Sequence, residues 1–352
     1  MIRSHRSSAL LVAAAALATS AALAQSATTI AFLLPETATS SRYATQDLPD
    51  FLAAMKKLDP SAKIITQNAQ GSATTQQQQA EAAITNGAKV LVIDPVDSKA
   101  AAAIVDQANR NGIKVISYDR LILDAKVDYY VSFNNVRVGQ LQGQFIADHT
   151  PKGGTIVMIN GSPTDNNAVL FRRGALDVLG PLFKNGTFKL GYTIMTPGWL
   201  PSNGLTEMEQ ALTKLNNHVS SVLSANDGLA GAIIQALKAQ GLAGKVPVTG
   251  QDATNAGLRR ILQGTQSMTV YKAIPLEAKA AAQLAYDLAT GQTIPKGFVN
   301  GTTNNGLIRV PSVLLTPLVV TKANMASTVI ADHFTTWAKV CAGLPAGMCP
   351  GK

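Results

Sequence analysis

Apolar runs of four to six residues alternate along this chain with longer stretches whose apolar positions recur every three or four residues. The alternation is most regular over residues 221–272. Val222 and Leu223 lie in a run that stops at Asn226 and Asp227. A helical stripe follows, with Ala232, Ile233, Ala236 and Leu237, and stops at Gly241. A short strand over 246–249 stops at Gly250, Gln251 and Asp252. A second stripe carries Leu258, Ile261 and Leu262, and a strand over 268–271 ends at Lys272. Short apolar runs separated by helical stripes predict β-α-β-α-β, the unit of a parallel sheet with helical crossovers. In such a sheet ligands bind outside the carboxyl ends of the strands. Asn226, Asp227, Asp252 and Lys272 are therefore the first candidates.

The same rhythm runs through the rest of the chain. Strands are expected over 28–34, 63–66, 89–93, 114–117 and 129–133, with helices between them. The helix over 98–110 stops at Asn111 and Gly112, a common helix-ending pair. The glutamines at 76–79 sit on a helix whose apolar stripe continues through Ala80, Ala83 and Ile84, so they read as a solvated face. Arg42, Asp94, Asp119 and Arg120 fall at or just past strand ends. The rhythm then restarts with a helix over 136–147 and a strand over 154–159. Asp165, Asn166 and Asn167 open the next helix, and a strand over 189–195 ends near Trp199. After Lys272 come a long helix over 275–290, a Gly/Asn-rich loop over 300–306 and an apolar strand over 313–320. Two α/β lobes, each a doubly wound parallel sheet covered on both faces, are the expected fold.

The first residues read as an address. Arg3, His5 and Arg6 precede an apolar run from Leu10 to Leu23, and Ala22-Leu23-Ala24 supplies a small-x-small site. That layout predicts a signal peptide over residues 1–24, cleaved after Ala24. The run is short of the roughly 20 apolar residues of a membrane span. The formal charge of +9 includes Arg3 and Arg6, and the remaining Lys and Arg do not cluster. No nucleic-acid partner is expected, and export argues the same way. Cys341 and Cys349 are the two cysteines, with Gly343, Pro345 and Gly347 between them. In an exported chain that pair predicts a disulfide closing a small loop. A metal site is the alternative, but it needs more ligands, and the four histidines are scattered.

No G-x-G-x-x-G follows a first strand, and no phosphate-cradling G-x-x-x-x-G-K-[ST] or nucleophile-elbow G-x-S-x-G occurs. No cofactor is expected. What remains at the strand ends is Arg42, Asp119, Arg120, Asp165, Asn167, Asn226, Asp252 and Lys272, with the aromatics Tyr43 and Trp199. That set suits a neutral sugar. Planar Asp, Asn and Arg groups bond adjacent hydroxyls in pairs, and an aromatic face covers the C–H patches. Competing readings exist for several of them. Asp119, Asp165 and Asp252 are also good helix or loop caps, and Asp227 reads as a cap of the helix that follows it rather than as a ligand. Trp199 could be core, although Pro197, Gly198 and Pro201 mark its surroundings as a loop. Arg120 could position Asp119 rather than touch sugar.

Several stretches resemble the periplasmic sugar-binding proteins of ABC importers, and the xylose-binding branch most. They are Ser117-Tyr118-Asp119-Arg120, the run 161–167 from Gly161 to Asn167, Gly198-Trp199-Leu200-Pro201, Ala225-Asn226-Asp227, Gly250-Gln251-Asp252 and Val270-Tyr271-Lys272. The resemblance spans nearly all of the mature chain and implies a periplasmic binding protein type I fold with three crossovers between lobes. It implies an N-terminal lobe over 25–137 with 274–305 returning to it, and a C-terminal lobe over 138–273 with 306–352. Asp119, Asp165, Asn167, Asn226, Asp252 and Lys272 correspond to sugar-hydroxyl ligands, Trp199 to a ring stacking on the pyranose, and Arg42 to a first-loop arginine. Tyr43 stands where that branch carries tryptophan, and the loop over 36–41 is rich in Thr and Ser where charges are usual. These departures keep the platform aromatic and leave the choice of sugar open. D-xylose is expected, with ribose, arabinose, glucose and galactose as alternatives. The implied partners are permease subunits of the inner membrane and a chemoreceptor, with the protein monomeric in the periplasm.

Two other classes compete. A glycosidase would use Asp119 and Asp165 as its carboxylate pair, but so many hydroxyl ligands suit holding better than turnover. A transcription regulator of the same fold needs a helix-turn-helix ahead of the first lobe, where this chain has a signal peptide. Capture without catalysis is the expectation.

Overall fold

The computed structural model describes residues 28–345 and 347–350; the expected signal peptide and its cleavage site lie outside them. The first sheet has seven strands. β1 (Thr29–Leu34), β2 (Lys63–Asn68), β3 (Val90–Ile93), β4 (Lys114–Tyr118) and β5 (Tyr129–Phe133) alternate with α1 (Leu48–Leu58), α2 (Ala73–Thr85) and α3 (Ala102–Arg110). α4 (Asn135–His149) then leads into the second half: β6 (Thr155–Asn160), α5 (Asn166–Lys184), β7 (Lys189–Met195), α6 (Pro201–Lys214), β8 (Ser221–Ser224), α7 (Asp227–Ala239), α8 (Asn255–Leu262) and β9 (Thr269–Tyr271). The last part is α9 (Ile274–Thr290), β10 (Gly301–Asn304), β11 (Arg309–Leu315), β12 (Leu318–Val320) and α10 (Trp337–Val340).

The first sheet runs β10-β11-β5-β4-β3-β1-β2 and is parallel except for β10. β1 and β3 are buried at every position, which follows from helices on both faces. Ile30, Phe32 and Leu34 pack with Phe51 and Met55 of α1 and the alanine face of α9. Ala31, Leu33, Leu91 and Ile93 pack on the other side against α2 and α3. The second sheet runs β7-β6-β8 and continues through single bridges, Val222 to Val248 and Gln251 to Val270, to β9 and β12.

Four local expectations are corrected. The strand over 246–249 is reduced to a bridge segment. Pro247 has no N–H for the ladder, so only its carbonyl takes part, accepting from the Val222 N–H at 2.8 Å. The expected strand over 313–320 is two strands in different sheets. β11 pairs parallel with β5, β12 pairs antiparallel with β9, and Thr316-Pro317 carries the chain across. The return to the second sheet therefore falls at 316–317 rather than at 306, because β10 and β11 form a hairpin on the first sheet. The other two crossings lie at Asn134 and at 272–273. Finally, the glutamine run is not solvated throughout. Gln76 is buried; its amide donates to the Asp94 carbonyl and accepts from the Val96 N–H, fixing the loop after β3.

The tail is stapled by a bond between Cys341 and Cys349, whose Cα atoms lie 6.0 Å apart. It packs through Phe334 and Val340 on Leu258 and Ile261 of α8.

Glycines set the spacing of α4 and α5. A Cβ on Gly139 would collide with the Phe171 carbonyl, and one on Gly174 with the Val136 carbonyl. Both obstacles are backbone, which cannot swing aside. This close approach fixes α5, whose first turn carries Asn167, against α4, which begins at a crossing between the sheets. We expect Gly174→Val to force the helices apart and to cost about 3 kcal/mol, read as a lowered urea midpoint with an unchanged slope.

Candidate functional site

All ten residues singled out as a site in the sequence line one cavity of about 30 Å³ between the carboxyl ends of the two sheets. Arg42 and Tyr43 come from the loop after β1, and Asp119 and Arg120 from the end of β4. Asp165 and Asn167 open α5, Trp199 follows β7 and Asn226 follows β8. Asp252 follows the bridge segment, and Lys272 follows β9.

Arg42 is the centre of the charge arrangement. Its Nε and Nη2 donate to the two oxygens of Asp47 at 2.9 and 2.6 Å. Nη2 also donates to Glu277 Oε2 at 2.9 Å, and Nη1 to Asp119 Oδ1 at 3.1 Å. Lys272 Nζ donates to the same Asp119 oxygen at 3.0 Å. Asp252 Oδ1 lies 4.0 Å from Arg42 and 3.9 Å from Lys272. Asp119 and Asp252, one from each sheet, thus face each other across two shared cations. Both residues hold left-handed backbone, φ 51° and 94°, a costly conformation that turns the chain sharply at the strand end.

Arg120 organises the other side. Its Nε pairs with Asp165 Oδ2 at 3.0 Å and stands 3.5 Å from Asp94, while Nη2 donates to the Tyr43 hydroxyl at 3.0 Å. Two guanidinium groups approach the Tyr43 ring, that of Arg42 at 5.3 Å from its centroid and that of Arg120 at 5.6 Å. Asp165 has both uses weighed from the sequence. It caps α5 through the Asn167 N–H at 2.8 Å and lines the cavity, where its Oδ2 also accepts from Trp199 Nε1 at 3.0 Å. Asn167 donates to the Asp119 carbonyl at 3.1 Å and accepts from Asn135 at 2.8 Å. Asn226 is the cap of α7, accepting from the Leu229 N–H at 2.8 Å, so its Nδ2 is what remains for a ligand. Asp227 is not that cap. Its carboxylate accepts from Thr254 N–H at 2.8 Å and from Gln266 at 2.6 Å. It ties down the loop that carries Asp252, and a Cβ on Gly250 or Gly257 would collide with it.

Glu36, Thr39, Ser40, Phe171 and Gln251 complete the lining. Gln251 donates to Asp252 Oδ1. Asp47, Asp94 and Glu277 stand behind the wall; Asp94 is marked in the sequence by its strand end, whereas Asp47 and Glu277 were missed. Glu277 is fully buried in the first turn of α9. An acid there looks like ordinary complementation of the helix dipole, so the sequence carried no signal for its partner. The lobes also touch beyond the cavity. The Ser98 N–H donates to the Thr164 carbonyl at 3.0 Å, and Ser98 Oγ accepts from the Asn166 N–H at 3.1 Å.

Six carboxyl groups, Asp47, Asp94, Asp119, Asp165, Asp252 and Glu277, surround three cations, Arg42, Arg120 and Lys272. Not all six can be ionised cheaply out of water. Burial pushes Glu277 and Asp94 well above the usual carboxyl range and raises Asp165. It takes Asp252 to about 6, against the opposing pull of Lys272 and Arg42. Asp119 is the exception. Burial raises it, but Arg42, Lys272 and Arg120 together hold it below the usual range. Among the described residues no three His, Cys, Asp or Glu side chains converge as a metal site.

Asp252 gives a pH-dependent consequence. Its folded value lies above the unfolded one, so its contribution to stability is full below about 3.9 and is lost as pH rises through about 6. We expect Asp252→Asn to be more stable than the parent at pH 7.5, by at most about 3 kcal/mol, and the difference to close by pH 4. Urea midpoints across that range measure it.

Residues 30–293 match the family described as periplasmic binding protein domain. A protein of Escherichia coli strain K12 named D-xylose-binding periplasmic protein is 49% identical over 273 residues, 78% of this chain and 82% of that protein. Its namesake from Haemophilus influenzae is 44% identical, again over 78% of this chain and 82% of the relative. A solved carbohydrate transporter solute binding protein from Chloroflexus aurantiacus, in complex with D-glucose, superposes with a TM-score of 0.81 at 32% identity. That likeness covers 88% of this chain and 97% of the other.

Proposed function

This chain belongs to the periplasmic binding protein family, and from that premise we propose that it captures one monosaccharide, D-xylose, between its two lobes for delivery to the permease of an ABC importer. It is a binding component and not an enzyme. The observation that carries this reading is the wall of the cleft. Carboxylates, amides and cations from both sheets alternate there with the rings of Tyr43, Phe171 and Trp199. Asp119 and Asp252 supply acceptors for hydroxyl protons, while Arg42, Lys272 and the Asn226 amide supply donors for hydroxyl oxygens. The rings cover the apolar faces of a pyranose. A sugar that lacks one of these hydroxyls leaves a buried polar group unpaired, which is how such a site discriminates.

A cavity of about 30 Å³ holds about two water molecules and lies far below the roughly 300 Å³ of a small-molecule pocket. A pyranose therefore needs the lobes further apart than this, both to enter and to be held, with motion about the three crossings; the Ser98 contacts tie the lobes at the present width. The identity of the sugar rests on the relatives named for D-xylose. A second reading, another monosaccharide such as glucose, is favoured by the glucose complex of the Chloroflexus protein and by Tyr43 and the Thr- and Ser-rich loop. The periplasm is the proposed compartment, reached by cleavage after Ala24, and no described helix is long and apolar enough to cross a membrane. A monomeric state and a chemoreceptor partner are part of the same reading.

The test is calorimetric titration of residues 25–352 with xylose, ribose, arabinose, glucose and galactose, after removal of carried-over sugar. We expect a single site for xylose with a micromolar or tighter Kd, about −8 kcal/mol or stronger. Tight binding of a different sugar would replace xylose and keep the class; no heat with any of the five would sink the monosaccharide reading. We further expect Asp119→Asn to weaken binding by about ten- to a hundredfold, the range for a hydrogen bond to a charged group. Unchanged affinity would remove Asp119 from the contact set.

A further inference from the structure

Trp199 sits in a conformation that its own backbone disfavours. Its φ is 59°, directly after Gly198 at 64°, and for so bulky a residue left-handed backbone is an outlier. Such a conformation persists only where the surroundings over-determine it. Two of the determining contacts are evident: the Nε1–H bond to Asp165 at 3.0 Å and the edge contact with Phe171, ring centroids 6.5 Å apart. The third is a missing atom. Gly161 follows the end of β6, and a Cβ placed on it would fall deep inside the van der Waals envelope of Cη2, Cζ2 and Cζ3 of the Trp199 indole.

Gly161 is not required by its own backbone, since it is not among the glycines with positive φ. It cannot retreat from the ring either. Its carbonyl and that of Asn160 accept from the Thr196 N–H at 3.1 and 3.2 Å, which pins the end of β6 to the start of the Trp199 loop. A side chain at 161 must therefore dislodge the indole. The ring cannot shift that far and keep both its bond to Asp165 and its contact with Phe171.

The geometry points to Gly161 as a positioning residue for ligand binding: its bare Cα is the seat that sets where the Trp199 ring stands in the cleft. The effect on affinity rests on the proposed role of Trp199 as a sugar platform, whereas the seat itself does not. Gly161 makes no contact with the cavity and acts only through the ring.

A double-mutant cycle tests this. Phenylalanine lacks the outer indole carbons that the new Cβ would strike. We expect Gly161→Ala to weaken binding of the sugar bound by the parent about thirtyfold in the Trp199 protein, and less than about threefold in a Trp199→Phe background. Equal losses in both backgrounds, or no loss in the first, would overturn the proposal. A readout without sugar accompanies it. In a Trp337→Phe background, which leaves Trp199 as the one tryptophan, Gly161→Ala is expected to shift the emission of Trp199. An unshifted spectrum would count against the seat. If Gly161→Ala fails to fold, recovery of folding by added Trp199→Phe supports the seat, and failure of both variants overturns it. If the parent binds no sugar, the proposed function fails while the emission comparison still decides the seat.

Discussion

Keeping charge out of water dictates the architecture of this cleft. The guanidinium of Arg42 is buried, and an isolated buried cation is untenable. Its planar fork allows several carboxylates to be met at once in fixed directions, which a lysine there could not do. The chain supplies them from three places. The π-helical turn Tyr43–Asp47 leads back to the arginine and presents Asp47, which Tyr118 holds from behind at 2.7 Å. β4 ends in Asp119. α9 starts immediately after a crossing between the sheets and brings Glu277 in its first turn. One cation thus ties the first loop, the end of a central strand and a crossing helix to a common point.

The surplus of carboxyl groups over cations is a property of a site made to accept hydrogen bonds. Asp252 and Asp165 are raised by burial, and Glu277 retains an oxygen with no hydrogen-bond partner. Left-handed backbone recurs beside the cleft, at Asp119, Trp199, Asp252 and Ala253, although Gln70, Asp124, Asn216, Asn217 and His333 adopt it elsewhere. The surrounding sheets and helices are packed without such compromises. Their cores are Val, Ile, Leu and Ala in buried runs, and that rigidity is what holds the strained strand ends in register.

Sequence alone determined the rhythm of strands and helices, the two α/β lobes and the polar residues at strand ends. The reason is that hydrophobic periodicity and turn residues report local burial, and in a parallel sheet the strand end and the ligand crevice coincide. It did not determine the partners. Arg42 and Glu277 meet across 235 positions, and nothing local to either residue marks the other. Asn226 and Asp227 are adjacent and chemically alike, yet one caps its helix and the other holds a distant loop; only the packing of α8 and Gly257 beside Asp227 assigned them. The same holds at Thr316-Pro317, where one apolar run divides between two sheets because strand pairing, not hydrophobicity, decides which edge each half joins. Gly161 stands in the chain only as the first residue of a polar run after a strand, and its significance lies in an indole brought against it from beyond a different strand.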